Sequence, residues 1–378
     1  MSLTVDEHRQ YLSDAVRIEA FRAAIHEAVR PGDVVVDLGS GTGILGFLAC
    51  QAGASRVYSI EGGGMIELAR ALARANGFES RITYRPGHSM HITVPERADV
   101  VIADQIGHFG FDAGIWEYFA DARQRFLREG GTMVPRTVAL FVAPVEAPDL
   151  FARVEFWSAR PAGLDFSPAR EWARNTGYPT HLSATQLLSD PATIARADMR
   201  ETLAEAFQAQ ASVRVARPGM LHGIGGWFEA QLSESVTLTN SPLSARRINR
   251  RNVFFPLDAP VAVLPGDAIA IGMHINPVET VIAWRAHVTR KGDVVATYRH
   301  STWSGMLISR EDLRRMRPGF VPTLTPRGVA RQTVLELCDG RRALADVERE
   351  TYARHRDLFA SADEATAFVA EVVTRYSD

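Results

Sequence analysis

The chain has 378 residues, of which 46% are hydrophobic, and a formal net charge of −2. That length is enough for more than one domain, and no apolar run is long enough to cross a membrane, so we predict no membrane partner. Nearly all of the basic charge is arginine, beside a single lysine, and a slightly negative net charge argues against nucleic-acid binding. Two cysteines and a start without a secretory pattern favour a cytoplasmic location. No His or Cys cluster has metal-ligand spacing, so no metal is predicted.

The first third of the chain has the pattern of an α/β domain. Residues 6–29 carry apolar side chains at a helical period, which predicts an N-terminal helix. Strand-like and helical runs then alternate up to Pro135, as in a doubly wound, Rossmann-like parallel sheet. The predicted strands are 33–37, 55–60, 81–85, 98–103 and 131–134. We therefore predict a first domain over residues 1–135.

Residues 34–43 (VVVDLGSGTG) are the most informative stretch. The valines and Asp37 indicate a buried strand that leaves through a glycine loop into a helix. Glycines are needed where a ligand presses against the backbone. The second strand ends in Glu61, where an acid can accept hydrogen bonds from both ribose hydroxyls of a nucleoside. The spacing G-x-G-x-G with an acid before it resembles the S-adenosylmethionine (SAM) loop of class I methyltransferases.

From Thr137 the sequence pattern changes to strand-like segments separated by turns. These segments are 138–142, 212–216, 227–232, 268–274, 281–289 and 293–298. The series predicts a β-barrel domain, because an all-β domain must bury its edges. A long insertion at about 155–205, rich in Trp, Pro and Gly, indicates an interaction arm. We place the barrel at 136–312 and a small helical domain at 313–378.

This order of elements resembles the protein arginine methyltransferases over about residues 6–305. Residues 8–17 (HRQYLSDAVR) match the family's H-x-x-M-L-x-D-x-x-R helix. The glycine loop matches V-L-D-V-G-C-G-T-G, and residues 53–61 match G-A-x-x-V-x-x-I-E. The insertion is similar to the family's dimerisation arm. The resemblance implies SAM as the cofactor, a peptide or protein substrate, and a homodimer.

The same resemblance implies the roles of the cofactor-binding residues. Arg17 would grip the SAM carboxylate, as an arginine–carboxylate fork does elsewhere. His8 and Tyr11 would close over the cofactor, and Glu61 would hold its ribose. The remaining predicted cofactor contacts are Asp37, Gly39, Gly41, Gly43, Ser89 and Met90.

The substrate loop departs from the family's pattern S-E-W-M-G-Y-x-x-x-x-E, which aligns with residues 103–113. Asp104 stands in place of the first glutamate and His108 in place of the tyrosine. An alanine takes the place of the second glutamate, with Asp112 beside it. The family's T-H-W element aligns with residues 247–249 (RIN), so its histidine is missing as well. The guanidinium clamp of the family is therefore incomplete.

The free energy of removing a proton indicates which nitrogen an incomplete clamp can serve. A neutral guanidinium costs at least about 7.5 kcal/mol at pH 7, because the pKa of arginine is roughly 12.5–13.8. An alkylamine with a pKa of about 10.4 loses its proton for only about 4.6 kcal/mol. One carboxylate and one base suit an amine better than a guanidinium. We predict that Asp104 holds the amine and that His108 or Asp112 takes the proton.

Residues 326–375 predict a helix, a turn and two more helices. Residues 334–347 resemble the helical half of the PqqD-like domains, which bind leader segments of ribosomally made peptides. The strands that would pair with a leader are missing or reduced to residues 319–324.

The sequence therefore predicts a SAM-dependent N-methyltransferase acting on an amine of a ribosomally made peptide. The incomplete clamp and the C-terminal segment together resemble the daptide-type peptide methyltransferases. A true protein arginine methyltransferase, with Asp104 and Asp112 as a rearranged clamp, is the first alternative. An enzyme-dead partner or scaffold protein is the second.

Overall fold

The computed structural model of the protein describes residues 4–201 and 204–377. The chain divides into two compact units, one up to residue 306 and one from Leu307 onwards. The first unit holds both the α/β domain and the β domain, and the second holds the C-terminal helices. The predicted start of the helical domain was residue 313, a few residues after this division.

The α/β domain follows the predicted pattern. Its helices are α1 (Thr4–Ser13), α2 (Ala15–Ala28), α3 (Ile44–Gln51), α4 (Met65–Ala75) and α5 (Ile115–Arg125). Its strands are β1 (Val34–Leu38), β2 (Arg56–Glu61), β3 (Ile82–Pro86), β4 (Ala98–Ala103) and β5 (Leu127–Val134). The strands are parallel in the order β3-β2-β1-β4-β5. The doubly wound prediction is confirmed, and the glycine loop leaves β1 at the carboxyl edge of the sheet.

The N-terminal segment is broken into α1 and α2, where the sequence predicted one helix. Asp14 lies between them as the N-cap of α2, and its carboxylate accepts a hydrogen bond from the backbone amide of Arg17 at 3.1 Å. A carboxylate at this position satisfies an amide that has no partner within the helix. The same carboxylate accepts the backbone N–H of Asn249 at 2.6 Å. Asp14 therefore joins the start of α2 to a loop of the β domain.

The β domain carries the insertion between its first strands. Its helices are α6 (Pro148–Glu155) and α7 (Arg170–Ala173), both within the insertion. Its strands are β6 (Thr137–Val145), β7 (Tyr178–Thr180), β8 (Ala192–Asp198), β9 (Phe207–Arg214), β10 (Gly219–Gln231), β11 (Thr237–Thr239), β12 (Asn252–Val263), β13 (Ala268–Asn276), β14 (Val281–Arg290) and β15 (Asp293–Ser301).

Over the described residues, the antiparallel ladders of this domain form two sheets. One has the order β7-β12-β10-β6-β8 with β11 beside β10, and the other has the order β15-β14-β13-β9. The predicted antiparallel, barrel-like domain is confirmed. The insertion is shorter than the predicted 155–205, because β8 begins at Ala192 and pairs with β6.

The C-terminal unit contains α8 (Arg310–Arg315), α9 (Pro326–Leu337), α10 (Leu344–Arg354) and α11 (Ala362–Tyr376). Its own small core includes Val334, Val347 and Phe368. Residues 319–324, all of them described, form no strand. Cys338 in this unit is exposed, whereas Cys50 of the first unit is buried. None of the helices within 4–201 and 204–377 is both long and apolar enough to span a membrane.

Candidate active site

The loop between β1 and α3 has a backbone that only glycine accommodates. Gly39, Gly41 and Gly43 have φ angles of +62°, +54° and +85°. A Cβ added to Gly39 would lie 2.4 Å from Nε2 of Gln105, and one added to Gly41 would lie 2.3 Å from Cε1 of His8. The left-handed conformation therefore favours glycine at these positions, and a Cβ would also force the side chains of Gln105 and His8 to move. Gly39 is exposed, whereas Gly41 and Gly43 are buried.

Two acids support this loop. Glu61 at the end of β2 accepts the backbone N–H groups of Gly41 and Gly63, each at 2.8 Å. Asp37 is fully buried and accepts the N–H of Gly46 at 2.9 Å through Oδ2. Burial raises the pKa of Asp37 to about 7, although the hydrogen bond from Gly46 opposes the shift. Glu61 thus holds the glycine loop directly, and Asp37 fixes the first turn of α3.

A cavity of about 800 Å³ opens beside the glycine loop. The predicted site residues that line it are His8, Tyr11, Arg17, Gly39, Gly41, Asp104, His108 and Asp112. The predicted residues that do not line it are Asp37, Gly43, Glu61, Ser89 and Met90. Ser89 and Met90 lie in a short 3-10 turn after β3, where the Ser89 carbonyl accepts Nη2 of Arg125 at 2.6 Å. The structure therefore brings together the predicted helix, loop and substrate residues, with Glu61 behind the loop.

The carboxylate of Asp104, which follows β4, is held by two arginines. Nε of Arg17 donates to Oδ2 at 2.5 Å. Arg250 binds both oxygens, with Nη1 at 3.1 Å from Oδ1 and Nη2 at 2.9 Å from Oδ2. The three side chains are only 8%, 8% and 12% exposed for Asp104, Arg17 and Arg250. Burial by itself would raise the pKa of Asp104, but the charges of Arg250 and Arg17 outweigh it and hold that pKa below its ordinary value.

Arg250 is the site residue that the sequence analysis missed. It directly follows residues 247–249, the element aligned with T-H-W, and that position was the only available signal. Among so many arginines, a further one in a loop carried no distinguishing mark. Only the fold brings this loop against the end of β4.

The turn that contains His108 is built on Asp112. The Asp112 carboxylate accepts the backbone N–H of His108 at 3.0 Å and that of Phe109 at 2.7 Å. A Cβ on Gly107 would lie 2.3 Å from Oδ1 of Asp112, so the turn requires glycine there. Asp112 therefore supports the backbone of the turn, and its predicted role in a rearranged clamp with Asp104 stays a prediction.

His108 has the character of a neutral base. Burial lowers its pKa, and the nearby charge of Asp112 only partly offsets that shift. Its Nδ1 is buried and has no hydrogen-bond partner within the part of the chain that the structure describes. His108 lines the cavity, and a neutral imidazole in that position is able to accept a proton.

A single buried amide joins the two loops around the cavity. Asn240 donates from Nδ2 to the carbonyl of His108 at 2.8 Å and to that of Arg251 at 2.7 Å. Its Oδ1 accepts the N–H of Phe228 in β10 at 2.9 Å. Asn240 thereby fixes the loop of Arg250 against the loop of His108. Across residues 4–201 and 204–377, no group of three or more His, Cys, Asp or Glu side chains is placed to hold a metal ion.

Two protein-family models match consecutive parts of the chain. Residues 21–134 match the family of ribosomal protein L11 methyltransferase (PrmA), and residues 136–301 match the arginine methyltransferase oligomerization subdomain. Protein arginine N-methyltransferase 6 of Xenopus tropicalis is 29% identical over 293 residues, which cover 72% of this chain and 86% of that protein. The chain is a class I SAM-dependent methyltransferase that resembles the protein arginine methyltransferases.

One further relative and two solved structures are also similar to this chain. The probable protein arginine N-methyltransferase 6 of Arabidopsis thaliana is 27% identical over 240 residues, or 60% of this methyltransferase. The match spans about half (54%) of that longer relative. The solved Trypanosoma brucei PRMT1 enzyme-prozyme complex with AdoHcy has the same fold, with a TM-score of 0.71 and 21% identity over 78% of this chain and 96% of that one. Arabidopsis thaliana protein arginine methyltransferase 10 matches with a TM-score of 0.68, 22% identity, and coverage of 78% and 97%.

The residues of this methyltransferase fit the cofactor. The glycine loop lines the cavity through residues 39–42, and Oε1 of Gln105 beside it is buried without a partner in the described residues. Arg17, which lines the cavity, would hold the carboxylate of SAM. The ribose role of Glu61 stays a prediction, because its two oxygens accept loop amides and it does not line the cavity. SAM supplies a methyl group on a positively charged sulfur. The alternative of an enzyme-dead partner protein is set aside, since the chain is an enzyme.

Proposed function

We propose that this methyltransferase transfers a methyl group from SAM to a nitrogen of a peptide or protein substrate. The carrying observation is Asp104, a buried carboxylate at the carboxyl end of β4 in the cavity beside the glycine loop. Ligands of open α/β sheets bind at this edge. Holding a nitrogen in line with the methyl group is the main task of such an enzyme, and alignment can supply roughly 7–11 kcal/mol.

The guanidinium of arginine is the first nitrogen to test. The relatives from Xenopus tropicalis and Arabidopsis thaliana are both named as protein arginine N-methyltransferases. These comparisons support the arginine alternative better than the peptide-amine function that the sequence analysis preferred. Asp104 occupies the position of the first acid of the family's substrate loop, which is consistent with an arginine substrate.

An alkylamine of a ribosomally made peptide is the second candidate, and one observation favours it. Asp104 is already paired with Arg17 and Arg250, and Asp112 is bound to backbone amides. Both carboxylates of the substrate loop, Asp104 and Asp112, thus have other partners, whereas a guanidinium clamp needs them free and a neutral amine needs no such pair. Recognition of a leader segment by the C-terminal helices and the daptide-type activity remain predictions of the sequence analysis.

Isotopically labelled SAM distinguishes these substrates. The protein is incubated with an arginine-rich peptide and with a peptide that carries a primary alkylamine, and transferred label is measured by mass spectrometry. Matched controls replace arginine by citrulline and acetylate the amine, because the urea and amide nitrogens are far weaker nucleophiles and neither control carries the positive charge. Label on arginine supports the first candidate, and label on the amine supports the second. No transfer to either peptide would contradict the proposal.

The first prediction concerns His108 as the proton acceptor. Because its pKa is lowered, the imidazole stays neutral at pH 7 and protonates only when the pH falls below about 6.5. Turnover should therefore decline on the acid side. His108→Gln should lower turnover by about 10²-fold or more and abolish the histidine-dependent part of this decline. Turnover measured from pH 5 to pH 9 checks both effects.

His88→Gln is the matched control, since His88 is exposed and does not line the cavity. It should keep the wild-type profile. An unchanged pH profile and turnover in His108→Gln would exclude His108 as the base and leave Asp112 as the remaining predicted acceptor.

We also propose that the protein is a homodimer through the insertion, residues 146–191. The matched family model for residues 136–301 describes an oligomerization subdomain. The insertion exposes large apolar side chains, with Leu164 62%, Phe156 53%, Trp172 40% and Phe166 39% exposed. A cluster of apolar side chains in contact with water is unfavourable for a soluble monomer and is typical of an interface.

The second prediction tests this interface with charged substitutions. The double variant Phe156→Glu/Leu164→Glu should shift the protein from dimer to monomer in multi-angle light scattering at micromolar concentration, because burying two unpaired carboxylates is costly. Val294→Glu is the matched control, since Val294 is 63% exposed and lies on β15, outside the insertion. A monomeric wild-type protein, or a double variant that stays dimeric, would refute the interface.

A further inference from the structure

The guanidinium of Arg250 binds the carboxylate of Asp104 as a guanidinium ligand would. Its two terminal nitrogens meet the two carboxylate oxygens at 3.1 Å and 2.9 Å, which is the paired geometry that arginine makes with carboxylates. The guanidinium carbon also lies 6.0 Å from the ring centre of Phe228. Arg250 is a residue of the enzyme itself, and its guanidinium binds both oxygens of Asp104, the carboxylate of the substrate loop.

The loop that carries Arg250 is held on both sides. The backbone N–H of Asn249 donates to Asp14, and the carbonyl of Arg251 accepts from Asn240. Asn240 is only 1% exposed. The position of Arg250 is therefore imposed by neighbouring contacts, and its guanidinium is kept close to Asp104 even when the ion pair opens.

Charge balance leaves no unpaired negative charge at Asp104. Arg17 and Arg250 contribute two positive charges, and Asp104 contributes one negative charge. If Arg17 holds the carboxylate of the cofactor, the two arginines and two carboxylates balance. A guanidinium substrate group that pairs with both oxygens of Asp104 must then displace Arg250, and displacing it separates a buried ion pair, which is strongly unfavourable.

We infer that Arg250 is a specificity-determining residue that competes with the substrate's cationic group for Asp104. A guanidinium needs the same two oxygens that Arg250 occupies, so guanidinium substrates are disfavoured most. A compact amine that arrives neutral can use a single lone pair of the carboxylate and leaves Arg250 in place. This inference rests on the proposed function for the identity of the substrate, but the competition at Asp104 is a property of the chain itself.

The competition can be measured without methyl transfer, with methylguanidinium chloride as the probe. Binding to the full-length protein is followed by calorimetry and by thermal shift, against sodium chloride at equal ionic strength. Arg250→Gln should bind methylguanidinium about tenfold or more tightly than the wild type, because a tethered group competes at an effective concentration in the millimolar range. Arg250→Ala should show the same gain, and either variant suffices if the other does not fold.

Two further variants make the result specific to Asp104. Arg251→Gln is the matched control: the neighbouring arginine also lines the cavity but makes no ion pair with Asp104. It should bind methylguanidinium no better than the wild type. Adding Asp104→Asn to Arg250→Gln should remove the gain. Equal binding by the wild type and Arg250→Gln, or a gain that survives Asp104→Asn, would overturn the inference.

Kinetics then separates this inference from the proposed function. Arg250→Gln should lower the KM for an arginine peptide about tenfold and shift the ratio of kcat/KM values towards arginine over alkylamine. An unchanged ratio would overturn the role in specificity. If no peptide is methylated by any variant while methylguanidinium binding changes as expected, the proposed function fails and the competition at Asp104 stands.

Discussion

Asp104→Asn is expected to lower turnover by at least about 10²-fold, since it removes the charge at the centre of the proposed site. It should also destabilise the protein. The carboxylate accepts three N–H bonds from Arg17 and Arg250, and all three side chains are at most 12% exposed. The amide would turn an N–H₂ group towards these donors and leave two buried guanidinium groups without an anion. Loss of one partner from such a buried group costs about 3–5 kcal/mol.

The pH dependence gives this prediction a sign. The folded-state pKa of Asp104 is lowered, so the carboxylate stabilises the protein at pH values above its ordinary pKa of about 3.9. That contribution is lost as the pH falls through the lowered value. The difference in free energy of unfolding between wild type and Asp104→Asn should therefore be full at pH 7 and shrink below about pH 4. Chemical denaturation at both pH values measures it.

Asp267→Asn is the matched control for the loss of activity. The side chain of Asp267 is 3% exposed and pairs with Arg290 at 2.8 Å. Both residues belong to the β domain, and neither lines the cavity. Its substitution should lower the melting temperature and leave turnover per folded molecule near that of the wild type. Full activity in Asp104→Asn, or equal loss in both variants, would refute the role of Asp104.

Glu61→Ala is expected to weaken SAM binding by about 1.5–3 kcal/mol, the range for hydrogen bonds to a charged group, or roughly 10- to 150-fold. Glu61 accepts the N–H groups of Gly41 and Gly63. The substitution therefore loses a proposed acceptor for the ribose and also a support of the glycine loop. Calorimetric titration with SAM measures the change directly, without a substrate.

Glu67→Ala serves as the control for this measurement. Glu67 lies in the first turn of α4, and its side chain is 77% exposed beside Arg70. It should bind SAM with wild-type affinity. Wild-type affinity in Glu61→Ala would exclude Glu61 as a cofactor contact, and equal weakening in both variants would point to a general effect on the domain.

The parallel sheet was predictable because its strands and glycine loop carry local signals. Each predicted strand overlaps an observed one, since a buried parallel strand is a short apolar run bounded by polar turns. The break between α1 and α2 escaped detection because the apolar period continues across Asp14. The strand β12 was missed since Pro256, Asp258 and Pro260 resemble turn residues. Pairing with β10 and β7 decides that segment, and pairing is not visible in a local pattern.

The site residues also fall into those that local sequence indicates and those that only the fold brings together. The cofactor loop and Asp104 follow from residues close in sequence, and the structure places them around one cavity. The ion pair between Arg250 and Asp104 joins residues 146 positions apart, so neither local spacing nor composition could indicate it. Asp112 was predicted as a proton acceptor or clamp residue, but its neighbours at 108 and 109 use it to cap a turn. That use depends on the backbone conformation at Gly107.

The double hydrogen bond of Asn240 has a consequence for the evolution and engineering of this scaffold. Asn240, a side chain of the β domain, holds the His108 loop of the α/β domain and also the loop of its own domain that carries Arg250. The two domains are accordingly poor candidates for exchange as separate modules. A chimaera that joined this α/β domain to a foreign β domain would keep the glycine loop and lose the geometry opposite it. Substitutions in residues 240–251 are a more direct way to change this geometry, because Asn240 and Arg250 contact loops of the α/β domain.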